Sequence, residues 1–150
     1  MERDETSAHC IEVRRLGPAD LDLVMRVPKG VFDDPIVPAR TAEFLGDSRH
    51  ILIGALADAA IVGFASAVVY VHPDKARPEL WFNDIGLNDA FQRRGIGRRL
   101  MAEAVAQAHA AGCSVLWVQT EAENRSTREI CKACGARESA GVMHYEIDLN

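Results

Sequence analysis

The spacing of apolar positions changes period several times along this chain, and each change marks an element. Ile11-Glu12-Val13-Arg14-Arg15-Leu16 alternates as a half-exposed strand. Gly17-Pro18-Ala19-Asp20 is a turn that opens a helix with Leu21, Val24 and Met25 on one face. Pro28, Gly30, Pro35 and Pro38 interrupt any period, so residues 28–38 form a loop carrying Asp33 and Asp34, and a short helix over 39–45 stops at Gly46. The apolar runs 51–56 and 61–70, separated by Ala57-Asp58-Ala59-Ala60, predict a hairpin. A polar loop over 72–77 leads into a buried strand over 80–87. Residues 96–111, rich in Ala, Leu, Met, Glu and Gln and free of proline, predict a helix that ends at Gly112. The run 115–120 is then a buried strand, reached by using that helix as a crossover to a parallel neighbour. Asn124 or Ser126 caps a last helix that stops at Gly135, and 142–149 alternates as a terminal strand. The order β-α-α-β-β-β-α-β-α-β predicts one α/β (α+β) domain over residues 1–150. Its mixed central sheet would have six to seven strands, with helices on both faces. Residues 1–9 are polar and expected to fray.

Composition narrows the class. The chain has 150 residues, 48% of them hydrophobic, enough for one real core. No apolar run approaches the ~20 residues of a membrane span, and Met1-Glu2-Arg3-Asp4-Glu5 is too charged for a secretory signal, so a cytoplasmic protein is expected. The net charge of −5 is unevenly spread: residues 1–91 hold 9 Lys/Arg against 15 Asp/Glu, and residues 92–150 hold 8 against 7. An acidic remainder beside a basic turn suits a cationic acceptor and argues against nucleic acid. Cys131 and Cys134 form a Cys-x-x-Cys, but Cys10 and Cys113 supply no second closely spaced pair, and Gly135 puts the motif at a helix C-terminus. Reduced thiols are expected, with no metal.

The basic turn is Gln92-Arg93-Arg94-Gly95-Ile96-Gly97-Arg98-Arg99-Leu100. It lies between the strand 80–87 and the helix 96–111. A glycine-containing turn at a helix start offers unpaired N–H groups, the positive end of a dipole and guanidinium groups to one point. Gly95 and Gly97 would let an anion approach the backbone, because no Cβ stands in the way. That describes a pyrophosphate cradle. A dinucleotide fingerprint would need a third glycine where Leu100 stands, and a Walker loop needs Gly-Lys-Ser/Thr. A helix start with solvated arginines is the plainer alternative.

Gln-x-x-Gly-x-Gly after a strand resembles the acyl-CoA signature of the GNAT superfamily of N-acetyltransferases, and the element order over nearly the whole chain is similar to that fold. Asn83-Asp84-Ile85-Gly86-Leu87, Arg93-Arg94-Gly95-Ile96, Val118-Gln119 and the run 142–148 resemble, more narrowly, the type I aminoglycoside 3-N-acetyltransferases. The resemblance implies acetyl-CoA as co-substrate and no metal. The pyrophosphate would lie on the backbone from Arg93 to Arg98 beside Gln92. The pantetheine arm would run along Ile85, Gly86 and Leu87, where such sheets splay, with Asn124 nearby. It implies direct attack by an aminoglycoside amine in a ternary complex, with a homodimer common among such proteins.

Acetyl transfer from a thioester to an amine needs a base, an oxyanion donor and an exit for the thiolate. Asp84 interrupts an otherwise apolar strand two residues before the expected acetyl position, and so is the candidate base. The Leu87 N–H is the candidate oxyanion donor. Asp33, Asp34, Glu121 and Glu123 are further acids for a polycationic substrate. His144 and Glu146 sit on the polar side of the last strand, where an imidazole has the right unperturbed pKa for neutral chemistry. Where many relatives carry a tyrosine acid in the last helix, this chain has Cys131, either a proton donor to the leaving thiolate or filler. Two other functions compete: an acetyltransferase for another small amine or a peptide amine, and a catalytically silent acyl-CoA sensor.

Overall fold

Turn chemistry and alternation build the first half of the sheet. In the computed structural model, which describes residues 10–150, β1 (Ile11–Leu16), β2 (His50–Ala57), β3 (Ala60–Tyr70) and β4 (Glu79–Leu87) pair antiparallel in sequence order. The expected frayed stretch 1–9 lies outside the described residues. β2 and β3 are joined by two residues, Asp58 and Ala59, both at positive φ (49° and 62°), the twist a two-residue hairpin requires. β5 (Leu116–Val118) adds parallel to β4, as the crossover predicts.

Helices cover both faces. On one, a 3-10 turn at Pro18–Asp20 leads into α1 (Leu21–Met25), and α2 (Pro38–Gly46) follows the loop; Val24 and Leu45 pack with Leu16, Leu52, Ile61 and Phe64. On the other, α3 (Ile96–Ala110) buries Leu100, Met101 and Ala104 against Ile51, Ile53, Leu80 and Phe82. α4 (Arg125–Ala133) packs on α3 and sends Ile130 and Cys131 to that cluster. Phe82 and Leu100 are fully buried, each stabilising by about 1.5–3 kcal/mol. α3 and α4 both stop as the glycines predict. Gly112 and Gly135 take positive φ, and the next N–H reaches back to Ala108 and Cys131 respectively, at 2.9 and 3.0 Å. No helix among the described residues is long and apolar enough to cross a membrane.

Two expectations fail. The sheet has five strands, not six to seven, because residues 142–149 pair with nothing in their own chain among the described residues. The predicted strand over 115–120 shrinks to three residues, because Gln119 and Thr120 leave the ladder once β4 and β5 diverge.

Candidate active site

Divergence of two parallel neighbours creates the site. β4 and β5 pair only at Leu80–Leu116, Trp81–Trp117 and Phe82–Val118. Beyond that a groove opens, walled by Asn83, Asp84 and Ile85 on one side and Gln119 and Thr120 on the other, with Asn124 and Thr127 at its base. A bulge helps to aim the first wall: Ala67 pairs with Phe82 and Ser66 with Asp84, so Asn83 is the extra residue. Side chains alternate along a strand. The extra residue therefore puts Asp84 on the same face as Trp81, opposite Phe82. Partial enclosure by the groove raises the Asp84 carboxyl above its usual range, a hydrogen bond from the Ile85 N–H (2.8 Å) opposes this, and Asp33 adds to the rise.

Backbone direction distinguishes the next three residues. Asn88 N–H donates to the Val62 carbonyl at 2.8 Å, which makes Phe64 and Gly86 the next hydrogen-bonded pair of the antiparallel ladder. Gly86 is thus committed to β3. Ile85 and Leu87 turn their backbone groups the other way, toward the side where β5 has left. The Ile85 N–H is taken by Asp84, and the Leu87 N–H faces the gap.

At the end of β4, a 3-10 turn at Asp89–Phe91 leads to the cradle. The Asn88 side chain accepts from the Ala90 N–H, and the Gln92 amide donates to Asp89. Gly95, at φ 76°, is the N-cap of α3 and its Cβ direction is open. Arg93, also at positive φ, Arg94 and Arg98 are exposed and form no ion pair among the described residues; Arg94 lies over the Phe91 ring. Arg99 turns away and holds the Ile11 carbonyl at 2.8 Å.

Gly97 differs from the expectation that its bareness admits a ligand, and the space beside Gly86 is likewise filled. A Cβ on Gly97 would meet Ile130 Cδ1 at 2.6 Å, so its bareness lets α4 approach α3. A Cβ on Gly86 would meet Phe64 Cε1 and the Val31 carbonyl, each at 2.4 Å, so that space belongs to the fold. Asn124 caps α4 by accepting from the Thr127 N–H at 3.1 Å. Cys131 is half-buried against the α3 core, and burial raises its thiol, with Cys134 adding to the effect. All four cysteines are free.

The loop over 31–36 closes one side of the Asp84 face. Val31 is buried, Phe32 stacks on Phe64 at 4.0 Å, and Asp33 comes within electrostatic reach of Asp84, with Asp34 exposed beside it. On the same face stands a group that pattern reading missed. Trp81 and Trp117 stack at 5.7 Å, Trp117 donates to the Tyr70 hydroxyl, and Glu79 accepts from Tyr70 (3.3 Å) beside His72 (2.7 Å). An aromatic at every second strand position reads as core. Only the absence of a covering helix here turns these rings into a surface. Glu121 and Glu123 instead lie in the turn before α4, where Glu123 acts on Arg128. His144 and Glu146 are bonded to each other at 2.9 Å in the exposed tail and are not brought to the groove by their own chain.

A model of the acetyltransferase (GNAT) family matches residues 21–136. The aminoglycoside N(6′)-acetyltransferase type 1 of Stenotrophomonas maltophilia is 26% identical over 144 residues, 91% of this chain and 93% of that protein. Among solved structures, an aminoglycoside acetyltransferase from an uncultured soil metagenomic sample, in complex with sisomicin, superposes with a TM-score of 0.81 at 18% identity over 93% of this chain and 97% of its own. The aminoglycoside N-acetyltransferase AAC(6′)-Iy, in complex with CoA, gives 0.72 at 23% identity over 96% of this chain and 99% of its own. These likenesses show a shared fold. The Stenotrophomonas maltophilia protein and AAC(6′)-Iy are N(6′) enzymes, which corrects the narrower resemblance to the 3-N type.

Proposed function

The chain belongs to the acetyltransferase (GNAT) family and is an acetyl-CoA-dependent N-acetyltransferase, and we propose that its acceptor is an aminoglycoside, acetylated at the 6′ amine by direct attack in a ternary complex. The observation that carries this reading is one face bearing Asp84 with Asp33 near it, beside a stacked tryptophan pair in which Trp81 is exposed and Trp117 half-buried. Paired acids attract a polycation, and flat rings suit the apolar faces of sugars.

The cradle fits the co-substrate on three counts: an open Gly95, the guanidinium groups of Arg93, Arg94 and Arg98, which form no ion pair among the described residues, and the first-turn N–H groups of α3. Arg93, Arg94 and Arg98 hold the pyrophosphate charge, and the exposed edge of Ile85 and Leu87 orients the arm in the groove. Acetyl-CoA supplies an activated thioester. Asp84, directly or through water, takes the proton of the attacking ammonium; a raised pKa brings a carboxylate closer to the basicity that task needs. The Leu87 N–H donates to the developing oxyanion. Cys131 fills the α3–α4 seam, and a thiol harder to ionise than usual is a poor acid for a departing thiolate. The unit we envisage is a single domain working as a homodimer in the cytoplasm.

The test uses an aminoglycoside with free 3- and 6′-amines, incubated with protein and acetyl-CoA. Mass spectrometry should show one added acetyl group, and fragmentation should place it on the 6′ ring. Acetylation at the 3-amine would overturn the regiochemistry. Thiol release only with unrelated amines would overturn the substrate, and CoA binding without thiol release would leave a sensor.

A further inference from the structure

A chain of hydrogen bonds that the acetyl transfer does not use ends on Glu79. The Trp117 indole N–H donates to the Tyr70 hydroxyl, which donates to Glu79 Oε2 at 3.3 Å, and His72 Nε2 meets the same oxygen at 2.7 Å. An indole N–H only donates and a carboxylate only accepts, so the Tyr70 hydroxyl is turned one way, accepting from Trp117 and giving its proton to Glu79. Register brings the partners together: Tyr70 lies opposite Glu79 on β3 and β4, and Trp81 opposite Trp117 on β4 and β5. The Tyr70 ring meets His72 and Trp117 edge-on, at 5.2 and 6.4 Å, and Trp117 stacks on Trp81 at 5.7 Å with 19° between the planes. Neither tryptophan belongs to either core cluster of the described residues, so core packing does not fix these rings. Their orientation comes from the stack itself and from the bonds that end on Glu79.

We propose that Glu79 is a positioning residue for the acceptor: through the Tyr70 hydroxyl it orients Trp117, and through the stack Trp81, as a fixed wall for an acceptor ring remote from the reacting amine. The nature of that ring rests on the aminoglycoside reading; the ordering of the indoles by Glu79 does not. Trp81 precedes Asp84 by three positions on the same face, about 10 Å along the strand. A multi-ring acceptor whose amine reaches Asp84 is long enough to lay a further ring on Trp81. There an apolar ring face meets an indole, while Asp33 and Asp84 hold the cationic end. Side chains that are already ordered spare the acceptor the cost of ordering them on binding. Glu79 touches none of the reacting groups, so its loss acts on acceptor affinity and leaves the chemical step alone.

Glu79→Ala and Glu79→Gln, made in the full chain, test this with one spectroscopic and one kinetic readout. Two stacked indoles give an exciton couplet in the far-ultraviolet circular dichroism of the protein alone. Glu79→Ala should lose the couplet, because the Tyr70 hydroxyl is then free to turn from Trp117, and Glu79→Gln should keep it, since an amide oxygen still accepts the Tyr70 proton. With an aminoglycoside that the wild type acetylates, Glu79→Ala should raise the acceptor KM about tenfold with kcat within about twofold, and Glu79→Gln should return KM to within about twofold. The acetyl-CoA Kd should not move in either. Tyr70→Phe, which removes the hydroxyl and keeps the ring, should repeat both effects of the alanine variant and decides the matter if that variant does not fold. An unchanged couplet, a lost couplet with unchanged acceptor KM, or a loss confined to kcat would each overturn the positioning role. A wild type that acetylates no aminoglycoside would instead sink the acceptor reading, and the couplet would still report whether Glu79 orders the stack.

Discussion

The cradle before α3 and the open face around Asp84 carry opposite charge and are built in opposite ways. The cradle is a continuous stretch, residues 92–98, whose geometry is set by two positive-φ residues and the start of one helix. The acceptor face gathers a loop at 31–36, the ends of β3 and β4, and Trp117 from β5, with a bulge at Asn83 deciding which way Asp84 points. The contrast reflects what each must recognise. A pyrophosphate is small and always the same, so backbone N–H groups and a dipole suffice. An acceptor with several amines and rings needs side chains spread over a wider surface, which only tertiary structure can assemble.

The strongest test of the contrast removes the acid that the acceptor face is built around. Asp84→Asn should lower turnover by about 10²-fold or more while leaving acetyl-CoA affinity unchanged, and the limb of the pH profile governed by this carboxyl should vanish. The same variant should be more stable at neutral pH. Because the folded-state pKa is raised, the native state holds the proton more tightly than the unfolded chain. The carboxyl's contribution is therefore fully present below its unfolded pKa and is lost as pH rises through the folded one. At pH 7 the ionised group works against the fold, so replacing it should raise Tm. Wild-type turnover in a folded variant would demote Asp84 to a structural part.

This contrast also explains what could be read along the chain and what could not. Alternation and periodicity found all four helices and the five strands that form, because each buries a face within its own neighbourhood. The Schellman stops at Gly112 and Gly135 and the hairpin at Asp58–Ala59 were visible as local turn chemistry. The same alternation over 142–149 predicts a strand of this chain's own sheet, but the segment pairs with no described strand, since alternation marks a face and does not supply a partner edge. For the glycines, the sequence gives no sign of what approaches. Gly95 is open, whereas Gly86 and Gly97 accommodate Phe64, Val31 and Ile130, residues 22 to 55 positions away.

Those glycines give the second test, since the two regions should answer differently to an added side chain. Gly95→Asn keeps a residue that tolerates positive φ and meets no neighbour, so the fold should persist. Acetyl-CoA should then bind at least tenfold more weakly, about 1.4 kcal/mol, by isothermal titration. Gly86→Ala should instead lose stability, about 1–3 kcal/mol, because Phe64 and the Val31 backbone must shift. Displacing Val31 also moves Asp33, so the acceptor KM should rise more than the acetyl-CoA Kd. Unchanged acetyl-CoA affinity in folded Gly95→Asn would mean that the pyrophosphate is held elsewhere.

The smallest expected effect falls at Cys131, in the seam between α3 and α4. A proton donor to the leaving thiolate gains driving force as its acidity approaches or exceeds that of the thiol it forms. Burial pushes the Cys131 thiol the other way, and its neighbours Ile130 and the α3 core give it a packing role instead. Cys131→Ala should therefore cost about 1 kcal/mol of stability, read as a lower denaturation midpoint, and change single-turnover acetylation by less than about twofold. A thiolate is stable enough near neutral pH to depart without help, and water in the open groove can protonate it afterwards. A tenfold slower chemical step with intact acetyl-CoA binding would restore the thiol as an acid. It would also mean that the cofactor side contributes a side chain to the chemistry, and not the backbone alone.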